Sequence, residues 1–170
     1  VDTKATKNGK LEPNRNYIMR NEKMILDYID ITMMCESLAN QMKDSKPDLV
    51  VGLTRGGLVP AVHLSHLLGV PMECVNWSTR DGDSREHNLN VSEAIEDGKT
   101  VVFVDDINDS GETLYGIMNH YDYTTTLRQC LYATLISKES SRFTVDFTAD
   151  CIHSKDEDKW VVFPWELNND

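Results

Sequence analysis

Two rhythms of apolar residues run along this chain. Leu49-Val50-Val51-Gly52-Leu53 and Thr100-Val101-Val102-Phe103-Val104 have almost no polar face, as expected of strands covered on both sides. Residues 24–28, 70–77, 130–136 and 160–163 add further strand candidates, and 143–147 alternates like a half-exposed strand. Helical spacing fills the gaps. Thr32 suits an N-cap for a helix over 32–43, which puts Met34, Cys35, Leu38 and Met42 on one face. A second helix over 59–68 is stopped by Gly69, and a third covers 113–120. Strands alternating with helices predict an α/β fold, a central mostly parallel sheet flanked by helices. In such folds ligands collect beyond the carboxyl ends of the strands.

Two stretches break the rhythm. Residues 1–21 are polar, with Lys4, Lys7, Gly9, Lys10 and Pro13, and bury too little surface to offset ordering. They are expected to form a loose tail ahead of one domain over 22–170. From 78 to 94 no apolar period survives, and so long a loop inside a domain is usually functional.

Charge narrows the partners. Seventeen basic residues against 28 acidic ones leave a net charge of -11. Such a surface repels phosphate backbones and anionic lipid, so neither nucleic acid nor membrane is the expected partner. No apolar run nears the ~20 residues of a membrane span, and the first residues hold no signal-peptide core. Cys35, Cys74, Cys130 and Cys151 are scattered, which favours buried thiols in a reducing compartment; a cytoplasmic location is expected. His63 and His66 share a helix at i, i+3 without an evident third ligand, so packing or exposure is their simpler role. His87, His120 and His153 stand isolated in the sequence.

The stretch Val104-Asp105-Asp106-Ile107-Asn108-Asp109-Ser110-Gly111-Glu112-Thr113 carries the most chemistry. A buried strand delivers two carboxylates to its exit, and a third carboxylate, two hydroxyls and a glycine lead into a helix. The second half suits a phosphate, because small residues let N–H groups converge at a helix N-terminus. The first half suits ribose hydroxyls or a hydrated magnesium ion, both partners of carboxylate oxygen. Acid beside phosphate repels unless a metal or sugar lies between, so the string points to a sugar phosphate bound with magnesium.

Here the chain resembles the type I phosphoribosyltransferases, whose fingerprint is an apolar strand, two acids, two spacers, then an acid or small residue, Ser/Thr, Gly, any residue and Thr. Residues 105–113 fit it throughout. Leu53-Thr54-Arg55-Gly56-Gly57-Leu58-Val59-Pro60 looks like that family's pyrophosphate loop. A lysine late in a strand, Lys138, and a terminal Trp160…Pro164-Trp165 look most like the xanthine-guanine branch. The resemblance covers roughly 22–166 and implies a twisted sheet with a small C-terminal base-binding hood.

It also implies a reaction: phosphoribosyl transfer from 5-phosphoribosyl-1-pyrophosphate to a 6-oxopurine (guanine, xanthine or hypoxanthine), releasing pyrophosphate. Asp105 and Asp106 would hold the ribose hydroxyls, and Asp106 would also meet magnesium. Asp109 would be the acid–base residue at the purine imidazole nitrogen. Ser110, Gly111, Glu112 and Thr113 would form the 5′-phosphate cradle, and Thr54, Arg55 and Gly56 would take pyrophosphate, with a cis or strained peptide expected at Thr54-Arg55. Lys138 would contact the 6-oxo group, Trp160 would stack on the base, and Val161 would offer backbone groups to it. The 78–94 loop would close over the substrates, bringing Arg85 to pyrophosphate. A homo-oligomer, dimer or tetramer, is the family's habit. Two departures bear on base choice: Arg80 replaces an aromatic, and Glu139 rather than Pro follows the lysine. Three rivals remain: a non-catalytic nucleotide-binding relative, a transferase for adenine or orotate, and a hydrolase using Asp105 as nucleophile.

Overall fold

The structure, a computed structural model, describes residues 18–20, 23–78, 84–121, 130–156 and 158–166. In chain order the elements are β1 (Ile18–Arg20), β2 (Lys23–Ile25), α1 (Tyr28–Gln41), β3 (Leu49–Leu53), α2 (Leu58–Leu68), β4 (Met72–Val75), β5 (Trp77–Ser78) and β6 (Ser84–Arg85). They continue with α3 (Leu89–Glu96), β7 (Val101–Asn108), α4 (Glu112–Tyr121), β8 (Cys130–Lys138), β9 (Phe147–Ile152), a short 3-10 turn and β10 (Trp160–Val162).

Five strands, in the order β4-β3-β7-β8-β9, form the main sheet, and every pairing in it is parallel. Period two divides their side chains between two layers. Leu49, Val51 and Leu53 join Val101 and Phe103 in a core with Val91 and Ile95 of α3 and Leu114 and Ile117 of α4. On the other face of β3, a Cβ at Gly52 would come within 2.9 Å of Ala61 Cβ, so α2 lies directly on the sheet there. The Cys35 thiol donates to the Pro60 carbonyl at 4.0 Å, which ties α1 to α2, and burial pushes that thiol up to about 12. Each fully buried Val, Leu or Phe in these layers contributes roughly 1.5–3 kcal/mol. Both apolar runs of the sequence are therefore interior strands of the sheet, as their missing polar face requires.

Contacts divide the chain into two compact units, one within Ile29–Glu157 and the other within Val1–Tyr28 and Asp158–Asp170. The larger holds the five-stranded sheet. In the smaller, β1 pairs antiparallel with β2 and β2 parallel with β10. Among the described residues no helix is long and apolar enough to cross a membrane.

Several expectations need correction. Ile18–Arg20, inside the stretch expected as a loose tail, pair with β2; residues 1–17 lie outside the described residues. Thr32 sits inside α1, not at its cap. The 78–94 stretch is not one loop: β5 and β6 pair antiparallel, and α3 begins at Leu89 with the Asn88 side chain accepting from Val91 N–H. The strand expected over 143–147 starts only at Phe147 and runs to Ile152; 143–146 are outside it, and Phe143 fills the α4-side core from a loop. Cys74 is exposed, since β4 is an edge strand, whereas Cys35 and Cys130 are buried.

Candidate active site

Parallel neighbours β3, β7 and β8 all end on the same side of the sheet, and the candidate residues stand at those ends. After β3 the chain makes a close turn. The Thr54-Arg55 peptide is cis, as expected. Gly57 N–H returns to the Leu53 carbonyl at 3.0 Å, Leu58 N–H reaches the Arg55 carbonyl at 3.2 Å, and the Thr54 hydroxyl donates to Asn76 Oδ1 at 3.0 Å. Thr54 is half-buried and Arg55 exposed.

Two glycines let this turn touch β7. A Cβ at Gly56 would overlap the Asp106 carboxylate, and one at Gly57 would overlap the Val104 carbonyl. The missing side chains thus bring the backbone of the first loop against the acid of the second. Sequence spacing could not show that contact.

β7 runs through the acidic doublet to Asn108, so Asp105 and Asp106 are strand residues rather than loop residues. Both are half-buried, and Asp105 Oδ1 accepts the Asp106 N–H at 3.0 Å. Successive strand residues point to opposite sides, so the doublet is not one carboxylate cluster. Among the described residues no three His, Cys, Asp or Glu side chains group to hold a metal. Asp106 fits magnesium in the way that ion favours, as one hard oxygen donor that leaves most of the shell to water and phosphate.

Beyond Asn108 the chain passes half-buried Asp109, exposed Ser110 and buried Gly111 into α4. Gly111 has φ +85, and a Cβ there would come within 2.7 Å of Phe143 N and Ser141 Oγ, so only glycine fits. Gly111 O accepts Tyr115 N–H at 3.0 Å, opening the helix, and Ser110 Oγ accepts Glu112 N–H at 3.4 Å. Glu112 is exposed and its carboxylate lies 4.0 Å from the Arg142 guanidinium, which also covers the Tyr115 ring; Thr113 is half-buried. A helix N-terminus behind a glycine turn is an anion site by construction.

At the end of β8, Lys138 Nζ lies 2.7 Å from Asp109 Oδ1, with 18% of the lysine side chain and 39% of the aspartate side chain exposed. The expected acid–base residue and the expected carbonyl-binding cation therefore meet, across 29 residues of sequence. Glu139, which replaces the family's proline, accepts from both the N–H and the hydroxyl of Ser154. Those bonds, more than nearby His153, hold its carboxyl below the usual range.

Arg85, Trp160 and Val161 belong to other elements. Arg85 lies in β6, opposite Trp77; its side chain and residues 79–83 of the expected lid lie outside the described residues. In the smaller unit Trp160 is 62% exposed, while Val161 is buried and pairs with Met24. His87 and His120 are not isolated: their rings share a 3.0 Å N···N contact, and His87 also meets Ser92 Oγ at 3.1 Å.

Sequence and structure comparisons agree on the family. The phosphoribosyl transferase domain matches residues 21–170. A xanthine-guanine phosphoribosyltransferase of Cereibacter sphaeroides is 33% identical over 69% of this chain and 68% of its own. One from Idiomarina loihiensis is 32% identical over 70% of this chain and 71% of its own. The crystal structure of a purine phosphoribosyltransferase from Pyrococcus horikoshii superposes with a TM-score of 0.71 at 28% identity, covering 88% of this chain and 97% of that one.

Proposed function

The chain belongs to the phosphoribosyl transferase family, and on that premise we propose that it transfers phosphoribosyl from 5-phosphoribosyl-1-pyrophosphate to a 6-oxopurine. It is a purine phosphoribosyltransferase by kinship with its curated relatives; the 6-oxopurine is the finer reading. One observation carries that reading: the 2.7 Å Asp109–Lys138 pair at adjacent strand ends. An ammonium offers three donors, so Lys138 can keep Asp109 and still donate to a 6-oxo oxygen. Adenine, whose 6-position bears an amine, offers that cation no acceptor oxygen there.

In the reaction the bond from C1′ to pyrophosphate breaks and the leaving group takes the electron pair. A purine nitrogen bonds C1′ and loses its proton. Asp109 stands as the base for that proton, oriented by Lys138. Asp105 and Asp106 favour positive charge developing on the ribose. The Ser110–Thr113 turn takes the 5′-phosphate, with the N–H groups at the start of α4 facing it. Thr54, Arg55 and Gly56 take pyrophosphate. Magnesium, when bound, neutralises pyrophosphate charge, and Asp106 is its protein donor. The exposed Trp160 ring has the character of a stacking platform. A cytoplasmic homo-oligomer acting on small molecules completes the reading.

The test offers guanine, xanthine, hypoxanthine, adenine and orotate, each with the activated sugar and magnesium, and measures the nucleotides formed. Turnover of at least one 6-oxopurine and none of adenine or orotate is the expected result. Turnover of adenine or orotate alone would overturn the base assignment. Sugar binding without any turnover would favour the non-catalytic relative.

A further inference from the structure

Asn108 occupies the second spacer of the acidic motif, a position for which the motif asks no chemistry. It is 1% exposed at the end of a strand whose other fully buried residues, 101–104, are apolar, yet every polar atom of its side chain is engaged. Nδ2 donates to Ser137 Oγ at 2.9 Å and to the Phe143 carbonyl at 2.8 Å, and Oδ1 accepts from Ser141 Oγ at 2.8 Å. A buried amide is retained only when so paired, and an apolar side chain would fill the place without directing anything.

Its bonds lead to the phosphate turn. Ser141 Oγ accepts Phe143 N–H at 3.3 Å, and both atoms stand where a Cβ at Gly111 would be. Arg142 N–H, between them, donates to the Ser110 carbonyl at 3.2 Å. Apart from Glu112 N–H, which Ser110 Oγ accepts, a phosphate cradle leaves its N–H groups to the ligand, so further rigidity has to come from the carbonyl side. Here that side is the 141–143 turn, and Asn108 fixes the turn.

Building on the transfer reading above, we propose that Asn108 is a positioning residue for the sugar substrate. It acts through Ser141 and the 141–143 backbone on the Ser110–Gly111 cradle and touches no substrate itself.

Calorimetry of the full chain with 5-phosphoribosyl-1-pyrophosphate and magnesium tests this in wild type, Asn108→Ala, Ser141→Ala and the double variant. Asn108→Ala is expected to weaken sugar binding about 10-fold and Ser141→Ala about 5-fold, the scale of one or two lost hydrogen bonds. The double variant should be no worse than about 10-fold, because both act through one path. KM for the accepted purine should stay within about 2-fold, which a general loss of structure would not allow. If Asn108→Ala does not fold, Ser141→Ala decides alone. Sugar affinity unchanged in a folded variant, or sugar and purine affinity falling together, would overturn the proposal. Wild type that binds the sugar without turnover defeats the transfer reading and leaves the affinity series to decide this one; wild type that does not bind it defeats both.

Discussion

The turn after β3 and the turn after β7 leave the same end of the same sheet from neighbouring strands, but they rely on side chains to different degrees. The first depends on missing atoms: Gly56 and Gly57 have no side chain where Asp106 and the Val104 carbonyl stand. The second depends on atoms present: Asp109 grips Lys138, and Asn108 anchors the 141–143 turn. Both should fail when a methyl is added, the second at Gly111, but only the second should also fail when one of these polar groups is removed. A loop that brings backbone to a highly charged ligand gains from bareness, whereas a loop that moves a proton needs a side chain held in place.

Asp109→Asn tests the second loop hardest. It keeps the shape and removes the proposed base, so kcat should fall about 100- to 1000-fold with sugar affinity retained. Full turnover would erase the contrast. Gly56→Ala tests the first: its methyl displaces the Asp106 carboxylate, and kcat/KM should fall about 100-fold in a protein whose circular dichroism is unchanged. Wild-type kinetics would mean that the turn yields and its bareness is incidental. Lys138→Met sharpens the division within the second loop, raising KM for the purine about 10-fold while leaving KM for the sugar within about 2-fold. Equal effects on both would mean that the ion pair only supports the loop.

The smallest effect lies at the far end of α4. Burial, and then the charge of His87, depress the His120 pKa below its ordinary 6.5. A depressed folded value means that the unfolded chain binds more protons. That stability is present above about pH 6.5 and is lost as pH falls towards the lower folded value. His120→Gln should therefore lose less Tm than wild type between pH 7.5 and 5.5, by about 2 °C, in a thermal scan. An equal loss would place the acid sensitivity elsewhere.

Much of the fold was legible because its signals are local. Leu49–Leu53 has the bounds expected, since a strand buried on both faces tolerates no polar residue within it. Gly69 ends α2 at φ 69, as a C-terminal glycine should. Helix α3 went unread although its signal was present: Asn88 caps it, and Val91, Ala94 and Ile95 are its buried i, i+3, i+4 face. Eight residues were too few to stand out beside the charged run before them. Strand β9 was misplaced because Phe143 and Val145 alternate like strand residues while serving the core from a loop.

Sequence by itself determined the chemistry available: three carboxylates, a glycine turn at a helix start and a bare turn, each within a few residues and therefore in fixed local geometry. Only the tertiary structure decided which of those groups meet. Gly56 faces Asp106, Asp109 faces Lys138, Asn108 faces Ser141, and His87 faces His120. Each pair comes from separate segments, and parallel strands joined through helices bring such residues together by sheet register, which local spacing does not record.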